Sequence, residues 1–153
     1  MKPLIVALLL LPAGAAAEQP VMAWSDHRPL ADWMSTGLVG FQLGADSIHS
    51  WRAERRGRAF LNQGCRWTLV LGTSALSKRY LPRTRPDQSD RHSFWSEHTA
   101  LGTTAAGWRY EIGIPIAAAT GLLRGAAAKH YLSDVGVGAL NGALSSLVCR
   151  RLS

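Results

Sequence analysis

The stretch Ala59-Phe60-Leu61-Asn62-Gln63-Gly64-Cys65-Arg66-Trp67-Thr68-Leu69-Val70-Leu71-Gly72-Thr73-Ser74-Ala75-Leu76-Ser77-Lys78-Arg79-Tyr80 decides the fold. It is too long for a strand and carries no proline. Phe60, Leu61, Trp67, Leu71 and Leu76 recur near helical spacing, which predicts a helix over 59–80 with those side chains turned toward a core. Pro82 and Pro86 end it and open a loop through Ser93. The same reading applies on both sides. Upstream, Pro29 opens a helix to about Trp51, with Leu30, Trp33, Met34, Leu38 and Phe41 as its core face. Downstream, Ser96 caps a third helix through about Ala106. A fourth spans about Glu111 to Arg124, with Pro115 near its first turn, and a fifth about Tyr131 to Arg151. No set of alternating strands competes. The expected fold is all-α, a compact bundle of about five helices. The glycines and alanines of the last two helices, Gly136, Gly138 and Gly142 among them, read as close packing rather than ligand contact.

The 153 residues suit one domain. Lys2, the apolar run Leu4 to Leu11 and the small residues Ala15-Ala16-Ala17 read as a signal peptide over 1–17. This leaves 18–153 as a single helical domain and predicts export, to a periplasm in a Gram-negative cell. An oxidising compartment permits a bridge between Cys65 and Cys149, whose places along the second and fifth helices put both toward the same end of the bundle. Two buried thiols are the alternative. Downstream of the leader, uncharged runs are short. Ile112 to Leu123 has 12 residues and Val135 to Cys149 has 15, against roughly 20 for a span. The sequence therefore reads as soluble or only peripherally attached to a membrane.

The formal charge is +7, which favours anionic partners. No zinc spacing or nucleic-acid module is present, so nucleic acid is not an expected partner. Arg52, Arg55, Arg56 and Arg58 read as a solvated helix connection, or as a contact for anionic lipid head groups. Lys78, Arg79, Arg83, Arg85 and Arg91 form a second cluster, which coincides with three short motifs.

Those motifs are Lys78 followed by Arg85-Pro86, then Ser93-Phe94-Trp95-Ser96-Glu97-His98, then Arg124 followed by His130 and Asp134. In order and spacing they resemble the signature of the type-2 phosphatidic acid phosphatase / vanadium haloperoxidase superfamily, Lys-x6-Arg-Pro, Pro-Ser-Gly-His and Ser-Arg-x5-His-x3-Asp. The resemblance covers about Cys65 to Cys149 and implies an acid phosphatase/haloperoxidase-like bundle. It implies a phosphoric monoester hydrolase acting on a phosphorylated small molecule or a lipid phosphate, without cofactor or metal. Carried over by position, His130 is the nucleophile that forms a phosphohistidine, His98 the general acid/base, and Asp134 the acceptor that orients His130. Lys78, Arg85, Ser96 and Arg124 hold the phosphate: arginine as a two-toothed donor, lysine as a mobile charge, the serine beside a helix N-terminus. Asp134 also reads as a helix N-terminal carboxylate. His27, His49 and His92 read as exposed or core histidines.

The chain departs from the signature at three positions. Trp95 replaces the proline, Leu123 the serine before Arg124, and Glu97 the glycine. A carboxylate about 4 Å from a phosphate charge costs about 4 kcal/mol at an effective dielectric near 20. Glu97 must therefore turn away, pair with an arginine such as Arg91, be protonated, or impair turnover. The alternative to an enzyme is accordingly a catalytically silent relative that binds phosphate or lipid head groups. A vanadate-dependent haloperoxidase ranks last, because the chain is short for one.

Overall fold

The computed structural model describes residues 27–150. The expected signal peptide over 1–17 lies outside them. Five α-helices follow in order: α1 (Arg28–Arg52), α2 (Arg56–Tyr80), α3 (Glu97–Ala105), α4 (Tyr110–Ala126) and α5 (Leu132–Cys149). A single 3-10 turn, Ala106–Trp108, joins α3 to α4. Among the described residues there is no strand, and the all-α expectation holds.

The boundaries follow the local chemistry. Pro29 lies in the first turn of α1, where a missing N–H costs nothing. The Ser96 side chain accepts from Thr99 N and caps α3. Short α3 sits inside the bundle, packed on α1, α4 and α5. It is placed there by glycine: a Cβ at Gly138 of α5 would overlap the Ser96 carbonyl, so only glycine lets the start of α3 approach this closely. Across the lower half, Cys65 of α2 and Cys149 of α5 form a disulfide with Cα atoms 5.9 Å apart. Asn62 Nδ2 donates to the Cys149 carbonyl at 2.7 Å beside it.

Most side chains expected in the core face outward instead, though Leu38 and Trp67 are half-buried. On α1, Leu30, Trp33, Met34 and Phe41 are exposed, Trp33 by 77%. The buried side is Ala31, Ser35, Val39, Gln42, Asp46 and Ser50. On α2, Phe60, Leu61, Leu71 and Leu76 point outward, while Gln63, Arg66, Val70, Ser74 and Ser77 point inward. Helical periodicity identifies a stripe but not which stripe faces inward. Here small and polar residues pack the interior. Gln42 Nε2 donates to the Gly113 carbonyl at 2.7 Å. Arg66 Nη2 pairs with both Asp46 oxygens at 2.9 and 3.0 Å, and Nη1 donates to the Thr104 carbonyl.

Candidate active site

The C-terminal ends of α2 and α4 and the N-terminal ends of α1, α3 and α5 meet at one end of the bundle. This brings Lys78, Ser96, His98, Arg124, His130 and Asp134 to that end. The loop 81–96 closes over it and carries Arg85. Its backbone is held by Arg83 N to Arg91 O at 3.1 Å, Ser93 N to Arg83 O at 2.9 Å and Arg85 N to Asp90 O at 3.0 Å. Asp87 N to the Ala128 carbonyl at 3.1 Å and Lys129 Nζ to Asp87 Oδ2 at 2.7 Å tie this loop to the α4–α5 connection.

His130 is 3% exposed, and its Nδ1 lies 2.6 Å from the Ser93 carbonyl oxygen. A carbonyl only accepts, so Nδ1 carries the proton and Nε2 keeps its lone pair. Asp134 was expected in that orienting role; Ser93 fills it instead. The Asp134 carboxylate is engaged elsewhere. It accepts from Arg83 Nη1 at 2.7 Å, Ser93 Oγ at 2.5 Å and Tyr131 N at 3.3 Å. It thus acts behind His130 by fixing Ser93 and the first turn of α5. Burial, with the Arg124 charge next, pushes the His130 imidazole down to about 3.

His98, in the first turn of α3, has Nε2 3.4 Å from Thr36 Oγ1 of α1. Burial and then the Arg124 charge push it down to about 4, while Glu97 and Asp32 pull the other way. Both imidazoles are neutral at pH 7 in the unliganded protein. Each also feels the other's electrostatic neighbours: Arg124 acts on both, Arg85 and His98 act on His130, and Lys78 acts on His98.

The cations converge already paired. Arg124, 4% exposed, pairs through Nη1 with Asp32 Oδ1 and lies 3.5 Å from Ser35 Oγ. Arg85 Nε donates to Asp90 Oδ1 at 2.7 Å. Lys78 Nζ donates to Glu97 Oε2 at 2.7 Å, and Ser74 Oγ donates to the same oxygen at 2.7 Å. Glu97 therefore neither turns away nor reaches Arg91; it sits on the lysine. Burial raises its carboxyl, but Lys78 and Ser74 more than offset this and hold it below its ordinary value. Ser96 is fully buried, and its oxygen accepts from Thr99 N and Thr99 Oγ1, at 3.4 and 2.9 Å. The expected phosphate-binding hydroxyl thus serves as a helix cap, because α3 starts one residue later and needs an acceptor there.

Asp32, Ser35, Thr36 and Ser74 also stand at the site and were not singled out from the sequence, while Arg83 and Ser93 were named there in the basic cluster and the second motif but given no role. Asp32, Ser35 and Thr36 share one helical face of an otherwise apolar stretch, the one signal that could have found them. An open groove of about 570 Å³ lies over Lys78 and Arg85, walled by Ala75, Arg79 and His92. A second cavity, about 470 Å³, lies at the other end against Asp46, Arg66 and Tyr110 and holds none of these residues. Among the described residues, no group of His, Cys, Asp and Glu is arranged to hold a metal. No family model, no characterised protein and no solved structure matches the chain.

Proposed function

We propose that this chain is a phosphoric monoester hydrolase of the type-2 phosphatidic acid phosphatase kind, working through a phosphohistidine on His130. The observation that carries the reading is the state of His130: neutral, with Nδ1 committed to the Ser93 carbonyl and Nε2 bearing the lone pair, beside Arg124. That is what a nitrogen nucleophile requires.

In the first step Nε2 of His130 attacks phosphorus. The N–P bond forms as the P–O bond to the leaving group breaks, and His98 gives that oxygen its proton. In the second, His98 takes a proton from water and the oxygen attacks phosphorus. The N–P bond breaks, inorganic phosphate leaves and His130 is restored. Arg124, Arg85 and Lys78 hold the non-bridging oxygens, whose charge grows at the transition state. An incoming phosphate dianion also stabilises protonated His98, so the acid is charged when substrate binds.

The second reading, a silent phosphate or head-group binder, draws on one specific observation: Asp32 and Glu97 already occupy Arg124 and Lys78. Phosphate release from a panel of soluble and lipid phosphates separates the two. The enzyme reading expects turnover by the wild type and none by His130→Ala. Binding without turnover, in both the wild type and Glu97→Gly, replaces it with the silent reading.

A further inference from the structure

We propose that α1, α2, α4 and α5 cross a lipid bilayer, and that its hydrocarbon is the partner of the apolar exterior. The inference is independent of the phosphatase reading and stands on how residues are sorted between inside and outside. Large apolar side chains are exposed on all four long helices: Trp33 and Phe41 on α1, Leu71 on α2, Ile114 on α4, Leu144 and Leu147 on α5. A soluble monomer rarely leaves patches beyond a few hundred Å² uncovered. Here the apolar surface belongs to every long helix rather than to one side, so a single docked protein would leave most of it in water.

Charge is sorted with equal strictness. No exposed Asp, Glu, Lys or Arg lies on α1 between Pro29 and Trp51, on α2 between Ala59 and Ser77, on α4 between Ile112 and Ala126, or on α5 between Leu132 and Cys149. Charged residues inside those limits are paired: buried Asp46 to Arg66, buried Asp134 to Arg83, and part-exposed Asp32 to buried Arg124. Inward, paired charge is how ionisable groups are tolerated within hydrocarbon. The interior supplies what helices use to associate in lipid, small residues at close approach and buried side-chain hydrogen bonds, as at Gly138, Gly142 and Gln42.

The dimensions agree. At about 1.5 Å per residue, 17-residue α4 and 18-residue α5 are about 26 Å long, and 25-residue α1 and α2 are about 37 Å, bracketing a hydrocarbon core of about 30 Å. Exposed Trp33 and Trp51 lie about 27 Å apart along α1, where interfacial aromatic belts belong. Basic residues flank both ends: Arg52, Arg55, Arg56 and Arg58 below, Arg79 and the candidate site above. The site then lies at one membrane surface, at head-group level. Averaged hydropathy passes only α5, Leu132–Cys149. In α1 and α2 the inward faces, Gln42 and Asp46 or Gln63 and Arg66, dilute an outward face that is mainly apolar, and α4 has only 17 residues.

The test is flotation. Membranes from cells expressing the full chain are washed with alkaline carbonate and floated through a density gradient. The protein is expected to rise with the lipid and to leave it only in detergent. Reconstituted into vesicles with brominated acyl chains, it is expected to lose much of its tryptophan emission relative to unbrominated lipid. Release by carbonate, sedimentation away from lipid, or a monodisperse particle without detergent, whether monomer or oligomer, would overturn the proposal. So would emission indifferent to bromine.

Discussion

At the residue scale, the proposed chemistry rests on a neutral His130, on a proton held by His98, and on carboxylates that would compete with phosphate for the cations. Replacing Glu97 by glutamine frees Lys78. One charge removed at a separation on the order of 8 Å changes phosphate binding by about 2 kcal/mol at an effective dielectric near 20, so the inhibition constant for inorganic phosphate should fall roughly ten- to hundredfold. An unchanged constant would mean that Lys78 does not face the phosphate. The histidines give a second prediction. The free enzyme needs His98 protonated and His130 neutral; with His98 near 4 and His130 near 3, kcat/KM should be higher at acid than at neutral pH. A profile rising toward alkali would contradict these roles. Stability moves the opposite way. Both folded pKa values lie below the ordinary 6.5, so the unfolded chain binds more protons in between. Stability is full above about 6.5 and falls as pH drops toward 3–4, as a denaturation series would show. The sequence made the two histidines and Lys78, Arg85 and Arg124 legible through spacing. It could not reveal the Ser93 carbonyl, because a backbone acceptor leaves no mark in residue identity. Nor could it reveal the Lys78–Glu97 pair, whose members meet only when α2 and α3 pack.

At the scale of elements, helix positions were legible and helix faces were not. Proline, glycine and serine mark ends locally, so α1 through α5 fall within a few residues of expectation. Periodicity does not say which stripe faces inward, and Phe41 and Leu71, expected in the core, are exposed. Close packing was correctly read for Gly138 and Gly142, but not for Gly136, which has open space around its Cα. This separates two substitutions. Gly138→Ala drives a methyl into the Ser96 carbonyl, displaces the start of α3 that carries His98, and should cost about 1–3 kcal/mol of stability together with turnover. Gly136→Ala, in the same helix, should be neutral or stabilising by about 0.5–1 kcal/mol. Thermal unfolding of both variants in detergent checks the pair; equal effects would contradict the proposed seating of α3.

For the whole molecule, the Cys65–Cys149 bridge closes an 84-residue separation and ties α2 to α5 in the half away from the site. Its reduction should lower stability by about 2–4 kcal/mol, measured as a shift in unfolding midpoint with and without reductant. Turnover at low temperature should survive, because the disulfide touches none of the groups to which the proposed chemistry is assigned. The bilayer reading and the phosphohistidine reading meet in one arrangement: a polar, paired interior whose His130 end would lie at one membrane surface. The chemistry is the claim on which the function stands, and trapping the intermediate tests it most directly. A phosphate ester that the protein hydrolyses, labelled with radioactive phosphorus, is mixed with the wild-type protein and quenched in alkali within one turnover. The account predicts label on the peptide carrying His130, stable to base and lost in acid as a phosphoramidate is, and absent from His130→Ala. Hydrolysis with no labelled protein, or label that persists in His130→Ala, would contradict it.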